Sequence, residues 1–279
     1  MNQLLKILLF VAFAAVTIWT YLAPNAVGFQ NPSLARIIFF HLPPAFIGTG
    51  FLFAGAFFSA KYLKHRRLEW DVRAASAIEM GFLMCIVTMI SGILFSKVQW
   101  GAWWHWDPRQ TSFLMVLLLF AAYFALRAAF SDEAKRATNA AGYSLASVLP
   151  AIFLIFVFPR LPHVLDTSLH PSTAIRDTVG GASQGESPVT VVDEDGSERP
   201  APGQSAGFDR TYSSTLIGVG ALLLLTSVWA YRIRVRAGVL ELLVEDMDEG
   251  LGSRGDSPAS GVVRPVSVSD EGGRTTPQG

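Results

Sequence analysis

The stretch QWGAWWHWDPRQTS, Gln99 to Ser112, lies between two apolar runs, residues 74–95 and 111–129. Each run is close to the ~20 residues that a helix needs to cross the hydrocarbon core of a bilayer. The stretch is therefore a turn between two spans, and the side of the membrane it faces decides how the rest of the chain is arranged. Four of the seven tryptophans, Trp100, Trp103, Trp104 and Trp106, fall inside it, interleaved with His105, Asp107 and Arg109. Indole joins a large apolar body to an N–H that needs a partner, so it collects where apolar and wet regions meet.

Working outward, four more apolar runs of similar length occupy residues 4–22, 37–60, 140–158 and 215–231. With 51% hydrophobic and 16% charged residues in 279, the chain reads as an all-α polytopic membrane protein with six transmembrane helices. Lys6 ahead of an apolar core resembles a signal peptide, but residues 21–26 offer no small-x-small cleavage site, so the first run is read as an uncleaved helix. Orientation follows from Lys and Arg in the short connections. Lys61, Lys64, Arg66, Arg67 and Arg73 lie between the second and third runs. Arg127, Lys135 and Arg136 lie between the fourth and fifth, and Arg232, Arg234 and Arg236 follow the sixth. These segments are expected to be cytoplasmic, with both termini. The opposite face then carries the 23–36 loop, the tryptophan stretch and residues 159–212. In a bacterium this is the inner membrane with its periplasmic side.

Residues 1–236 form the expected helical domain. Residues 171–211 are rich in Gly, Ser, Pro, Asp and Thr and read as a flexible periplasmic insertion. Residues 237–279 read as a cytoplasmic tail, largely disordered after about 246. Formal net charge is zero, so nothing points to a nucleic-acid partner. Cys85 is the one cysteine, which excludes an intrachain disulfide, a CxxC pair and a CxxCH haem attachment site. No GxxxxGK[ST] motif is present for ATP hydrolysis by the P-loop route.

Two histidines fall on the outer face. His41 sits in RIIFFHLPPAFIG, about a turn inside the second span, with Pro43 and Pro44 behind it to bend the helix and re-aim the side chain. Imidazole at membrane depth faces either a functional cavity or a neighbouring helix that it hydrogen-bonds. His170, in RLPHVLDTSLHPSTAIR, lies past the fifth span, where a lone histidine is ordinary surface. Paired across the tryptophan stretch, the two can ligate a haem iron axially; Trp100, Trp103, Trp104 and Trp106 supply an aromatic wall and Arg109 forked donors for a propionate. Asp107 also fits a helix N-cap, with Pro108 at the first helical position and Gln110 completing a capping box. The tryptophans fit an interfacial belt as well. His105 is a third candidate ligand, and Glu79, near the cytoplasmic end of the third run, either marks a polar pocket or snorkels.

At WGAWWHWDPRQTS the sequence resembles the tryptophan-rich signature shared by the WWD-motif cytochrome c biogenesis superfamily (CcmC, CcmF and CcsA). Within it, the chain is most similar to the heme exporter protein C (CcmC) family. The resemblance covers about residues 30–232, through FFHLPPAF, the signature loop and SLHP. It implies that His41 and His170 are the axial haem ligands and that Trp100, Trp103, Trp104, Trp106, Asp107 and Arg109 belong to the loop presenting the haem edge. It implies non-covalent haem b, handed to a periplasmic chaperone (CcmE). An ABC transporter (CcmA and CcmB) and a small membrane subunit (CcmD) are the other partners. On this expectation the protein is a transfer platform and not an enzyme. The alternatives are a CcsA-type synthase that attaches haem to apocytochrome directly and a b-type electron-transfer cytochrome.

Overall fold

In the computed structural model, residues 3–23, 25, 29, 31–165, 167–169, 190–192, 198–200 and 210–255 are described. His170 and most of residues 171–211 lie outside them. The apolar runs become helices because a backbone surrounded by hydrocarbon must satisfy its own hydrogen bonds. They are α1 (Gln3–Leu22), α2 (Ile38–His65), α3 (Leu68–Trp100), α4 (Pro108–Ala128), α5 (Glu133–Ile152), the single turn α6 (Pro162–Leu165) and α7 (Arg210–Gly255).

Among the described residues, five segments are long and apolar enough to cross a membrane: Leu34–His65, Leu68–Trp100, Pro108–Ala128, Glu133–Arg160 and Thr211–Asp248. The apolar part of α1, Ile7–Leu22, is shorter. The helices overrun the spans read from hydropathy, because polar residues with good helical termini extend them. α3, for example, starts with Glu69 and Asp71 in its first turn, where carboxylates meet the positive end of the helix dipole. The all-helical expectation has a small exception in a hairpin, β1 (Thr190–Val192) antiparallel to β2 (Glu198–Pro200), inside the segment read as flexible. α7 also continues past residue 246, to Gly255.

The chain divides into two compact units, Met1–Val239 and Leu240–Gly279. In the second, the described residues are the last turns of α7. In the first, α2 and α3 form a tight antiparallel pair joined through Arg66, which takes the left-handed conformation that closes α2. Their backbones approach closely where Gly81 faces Leu52, too near for a Cβ without movement. The core of this unit gathers Leu52, Ile78, Val116, Phe120 and Tyr123 from α2, α3 and α4 with Ala140 and Ala151 of α5. A second cluster joins Phe39 to Tyr212, whose rings lie 4.3 Å apart, and α1 is seated where Trp19 covers Gly218.

Two ion pairs lie away from the end at which α3 stops. Arg127 grips Asp71 with two bonds, 2.7 and 2.9 Å, nearly sealed from solvent. Arg234 of α7 reaches Glu79 at 3.0 Å, which accounts for a carboxylate inside the apolar third run. At the opposite end α5 loosens. Pro150 removes a backbone donor, Phe153–Val157 forms a turn of π-helix and Phe158–Arg160 a 3-10 turn with Pro159 as its second residue.

Candidate functional site

Where α2 and α4 begin and α3 and α5 end, the helices leave a cleft of about 1410 Å³, open mouth included. Its walls are mostly apolar: Leu42 and Phe46 from α2, Met89 and Phe95 from α3, Phe113 from α4, and Leu154 and Phe156 from the loosened end of α5. Into these walls are set His41, Trp100, Arg109 and Arg160.

His41 is held by the backbone of α3. Its Nδ1 is 3.0 Å from the carbonyl oxygen of Thr88 and 3.2 Å from Oγ of Ser91. A carbonyl only accepts, and Ser91 already donates its proton to Val87 O at 2.8 Å, so Nδ1 carries the hydrogen. The lone pair of the neutral ring therefore resides on Nε2. Fixing one nitrogen by a hydrogen bond is how proteins orient the other toward a metal. The approach depends on Gly92: a Cβ there would stand 2.9 Å from Cε1 of the ring. The two expectations for His41, a cavity position and a bond to a neighbouring helix, hold together.

The tryptophan stretch divides. Trp100 ends α3 and lines the cleft, edge-on to Phe95 at 5.6 Å. Trp103 and Trp106 instead stand in the open, 55% and 75% exposed, and Trp104 packs edge-on against Trp106 at 5.7 Å. None of these three lines the cleft, whose aromatic lining is Trp100 with phenylalanines from four helical segments. The loop is stapled by Ser96 donating to Ala102 O at 2.9 Å and Lys97 to Gly101 O at 2.8 Å. Trp106 has φ +55°, a strained conformation for a bulky residue.

Asp107, 3% exposed, caps α4 as expected, with Pro108 at the first helical position; one oxygen accepts from the N–H of Arg109 at 2.9 Å and of Gln110 at 3.4 Å. Gln110 does not close a capping box on Asp107. Its Oε1 accepts from the N–H of His105 and its amide donates to Trp103 O, both at 3.4 Å, bracing the loop instead. The other oxygen of Asp107 accepts from Oγ of Ser168 at 3.0 Å and the N–H of Leu169 at 2.7 Å. His105 is outside the cleft wall, its Nε2 buried with no partner among the described residues.

Arg109 reaches the cleft with a buried Nε that has no partner among the described residues. Arg160, an exposed residue that the sequence does not single out, also lines the cleft. It is anchored through the carbonyls of Ile155 and Phe156, at 3.3 and 2.8 Å. Its positive field reaches Arg109. Two guanidiniums facing one apolar cleft favour a ligand that is apolar in its body and anionic at one edge. A porphyrin with two carboxylates answers that description, and an oriented imidazole answers its metal. The signal for Arg160 was its place at the end of an apolar run between Pro159 and Pro162.

A family model described as heme exporter protein C matches residues 1–157. Over 109 residues the chain is 31% identical to heme exporter protein C of Paracoccus denitrificans, covering 39% of this chain and 44% of that protein. Over 114 residues it is 31% identical to heme exporter protein C of Escherichia coli K12, covering 41% and 46%. It is also 32% identical over 84 residues to the cytochrome c biogenesis protein CcsA of a Synechococcus species, covering 30% and 26%. The chain thus spans less than half the length of these curated relatives. The matched family segment includes His41 and the tryptophan stretch and ends before Arg160 and His170.

Proposed function

The chain belongs to the heme exporter protein C family, and on that premise we propose that it holds haem in the cleft beside His41 and delivers it for cytochrome c maturation. The haem is haem b, held non-covalently, since no CxxCH is available to bond it. Nε2 of His41 is one axial ligand and His170 the other. Arg109 and Arg160 take the propionates, and the apolar walls keep water from the macrocycle. Six spans, α1 included, cross a bacterial inner membrane with both termini cytoplasmic, so the cleft opens to the periplasm.

Delivery is ligand exchange and needs no acid, base or nucleophile from this chain. A periplasmic haem chaperone of the CcmE type is the acceptor; Trp103, Trp104 and Trp106 form the surface it meets, beside the cleft. CcmA, CcmB and CcmD are the remaining partners. The observation that carries this reading is the His41 imidazole, oriented by Thr88 and Ser91, on the wall of an apolar cleft that also holds two guanidiniums.

The test is the visible spectrum of the purified protein beside its His41→Ala and His170→Ala variants at matched expression. A bis-histidine haem spectrum, altered in both variants, is expected. A protein without haem, or a spectrum indifferent to both substitutions, overturns the ligand assignment. Haem attached covalently to apocytochrome with no chaperone present would favour a synthase over a transfer platform.

A further inference from the structure

We propose that the end of α7 carries a docking surface for a basic amphipathic helix of a partner protein, formed by Leu240, Leu243, Val244 and Met247. The 46 residues of α7 rise about 1.5 Å each, roughly 69 Å in all, against a hydrocarbon core of about 30 Å. Its apolar run, residues 215–231, ends at Arg232, Arg234 and Arg236. Residues 237–248 then hold Glu241, Glu245, Asp246 and Asp248, with no Lys or Arg. Four carboxylates so close together do not enter hydrocarbon, so this part of the helix stands in water. Lipid tails therefore do not explain its apolar side chains.

Those side chains are placed with helical regularity. Leu240, Leu243, Val244 and Met247 follow the i, i+3, i+4, i+7 spacing, which puts them on one stripe about 100° wide. Each is 51–60% exposed. A contiguous apolar stripe in water marks a surface built to be covered. The charge around it selects the cover. Glu241 and Asp248 border the stripe on one side and Asp246 on the other, all exposed. A second copy of this chain is a poor cover, because two copies in one membrane run parallel and would set acid against acid. An anionic bilayer surface repels the same acids. A helix with matching apolar spacing and flanking Lys or Arg satisfies both features, its apolar face on the stripe and its cations beside Glu241, Asp246 and Asp248. Haem plays no part in this surface.

The experiment has two arms, both on the full-length chain. In nanodiscs of neutral lipid, the probes are two synthetic helical peptides with the same leucine stripe, one flanked by lysines and one by glutamates. The lysine peptide is expected to bind and the glutamate peptide not to. Combining Glu241→Gln, Asp246→Asn and Asp248→Asn should weaken the lysine peptide roughly tenfold, as for three lost ion pairs at exposed sites. Combining Leu243→Ser with Met247→Ser should weaken it at least as much, with melting temperature checking that each variant is folded. In cells, Val244 is replaced by photoreactive benzoylphenylalanine and the adduct is sequenced. A cross-link to a basic, helix-forming segment of another protein is expected. Equal binding of the two peptides, or binding indifferent to the substitutions, overturns the proposal. So does an adduct with a second copy of this chain, with lipid alone or with an acidic or neutral segment, and so does the lack of any adduct.

Discussion

Gly92→Ala is the most informative single substitution, because helix propensity and the site pull in opposite directions. In a helix interior alanine is favoured over glycine by about 0.8–1.0 kcal/mol. At Gly92, though, the new Cβ would be 2.9 Å from Cε1 and 3.3 Å from Nδ1 of His41. Carbon atoms pack best at about 3.5–4.0 Å, so the ring must retreat by roughly 0.6–1 Å. The Nδ1–Thr88 O distance, now 3.0 Å, then passes out of hydrogen-bonding range. Losing that bond costs about 1 kcal/mol and the crowding about 1–3 kcal/mol. After the propensity gain the protein is weakened by about 1–3 kcal/mol. With His41 as the proposed haem ligand, haem binding is expected to suffer in addition, because groups that orient a metal ligand are typically worth about 10–100-fold in affinity. Haem titration followed in the visible, with melting temperature alongside, reads both. Gly142→Ala is the reference, since a Cβ there meets nothing within 4 Å; it should bind haem normally and melt no lower. A Gly92→Ala protein that binds haem within about twofold of wild type, with the same spectrum, refutes the orienting contact and with it the role of Thr88.

Two further outcomes follow from the same geometry. Arg109→Ala and Arg160→Ala should each weaken haem binding by roughly tenfold or more, as for a lost charge-assisted bond. Binding of haem dimethyl ester, which lacks the carboxylates, should be almost indifferent to both changes. Trp106→Gly removes a strained φ of +55° and should leave the protein as stable or stabilise it by about 1 kcal/mol. Transfer to a haem chaperone should nevertheless fall, because the exposed indole is lost; unchanged transfer would mark Trp106 as passive surface.

Parts of the candidate site were legible in the sequence because their signals are local. Asp107 followed by Pro108 ahead of an apolar run specifies a helix start through backbone chemistry within four residues, and α4 starts there. His41 before a Pro-Pro pair marks a histidine at the head of a span, and it lines the cleft. Gln110 shows where local reasoning stops. The capping-box pattern was present, but the tryptophan loop folds back closely enough to offer His105 N–H and Trp103 O, and the amide takes those instead.

By itself the sequence determined the helices and which of their ends are polar. Hydrocarbon admits only a backbone that satisfies itself, so run length and hydropathy are enough to specify that. Tertiary structure alone decided which of the four tryptophans face the cleft, that Arg160 joins Arg109 there, that Gly92 makes room for the His41 ring, and that Asp107 reaches Leu169. Each of these depends on how two segments about 50–60 residues apart meet in space. The π and 3-10 turns after Ile152 illustrate the reason. They change the angular register of α5 by fractions of a turn, and that shift, invisible in a hydropathy pattern, governs where Phe156 and Arg160 point.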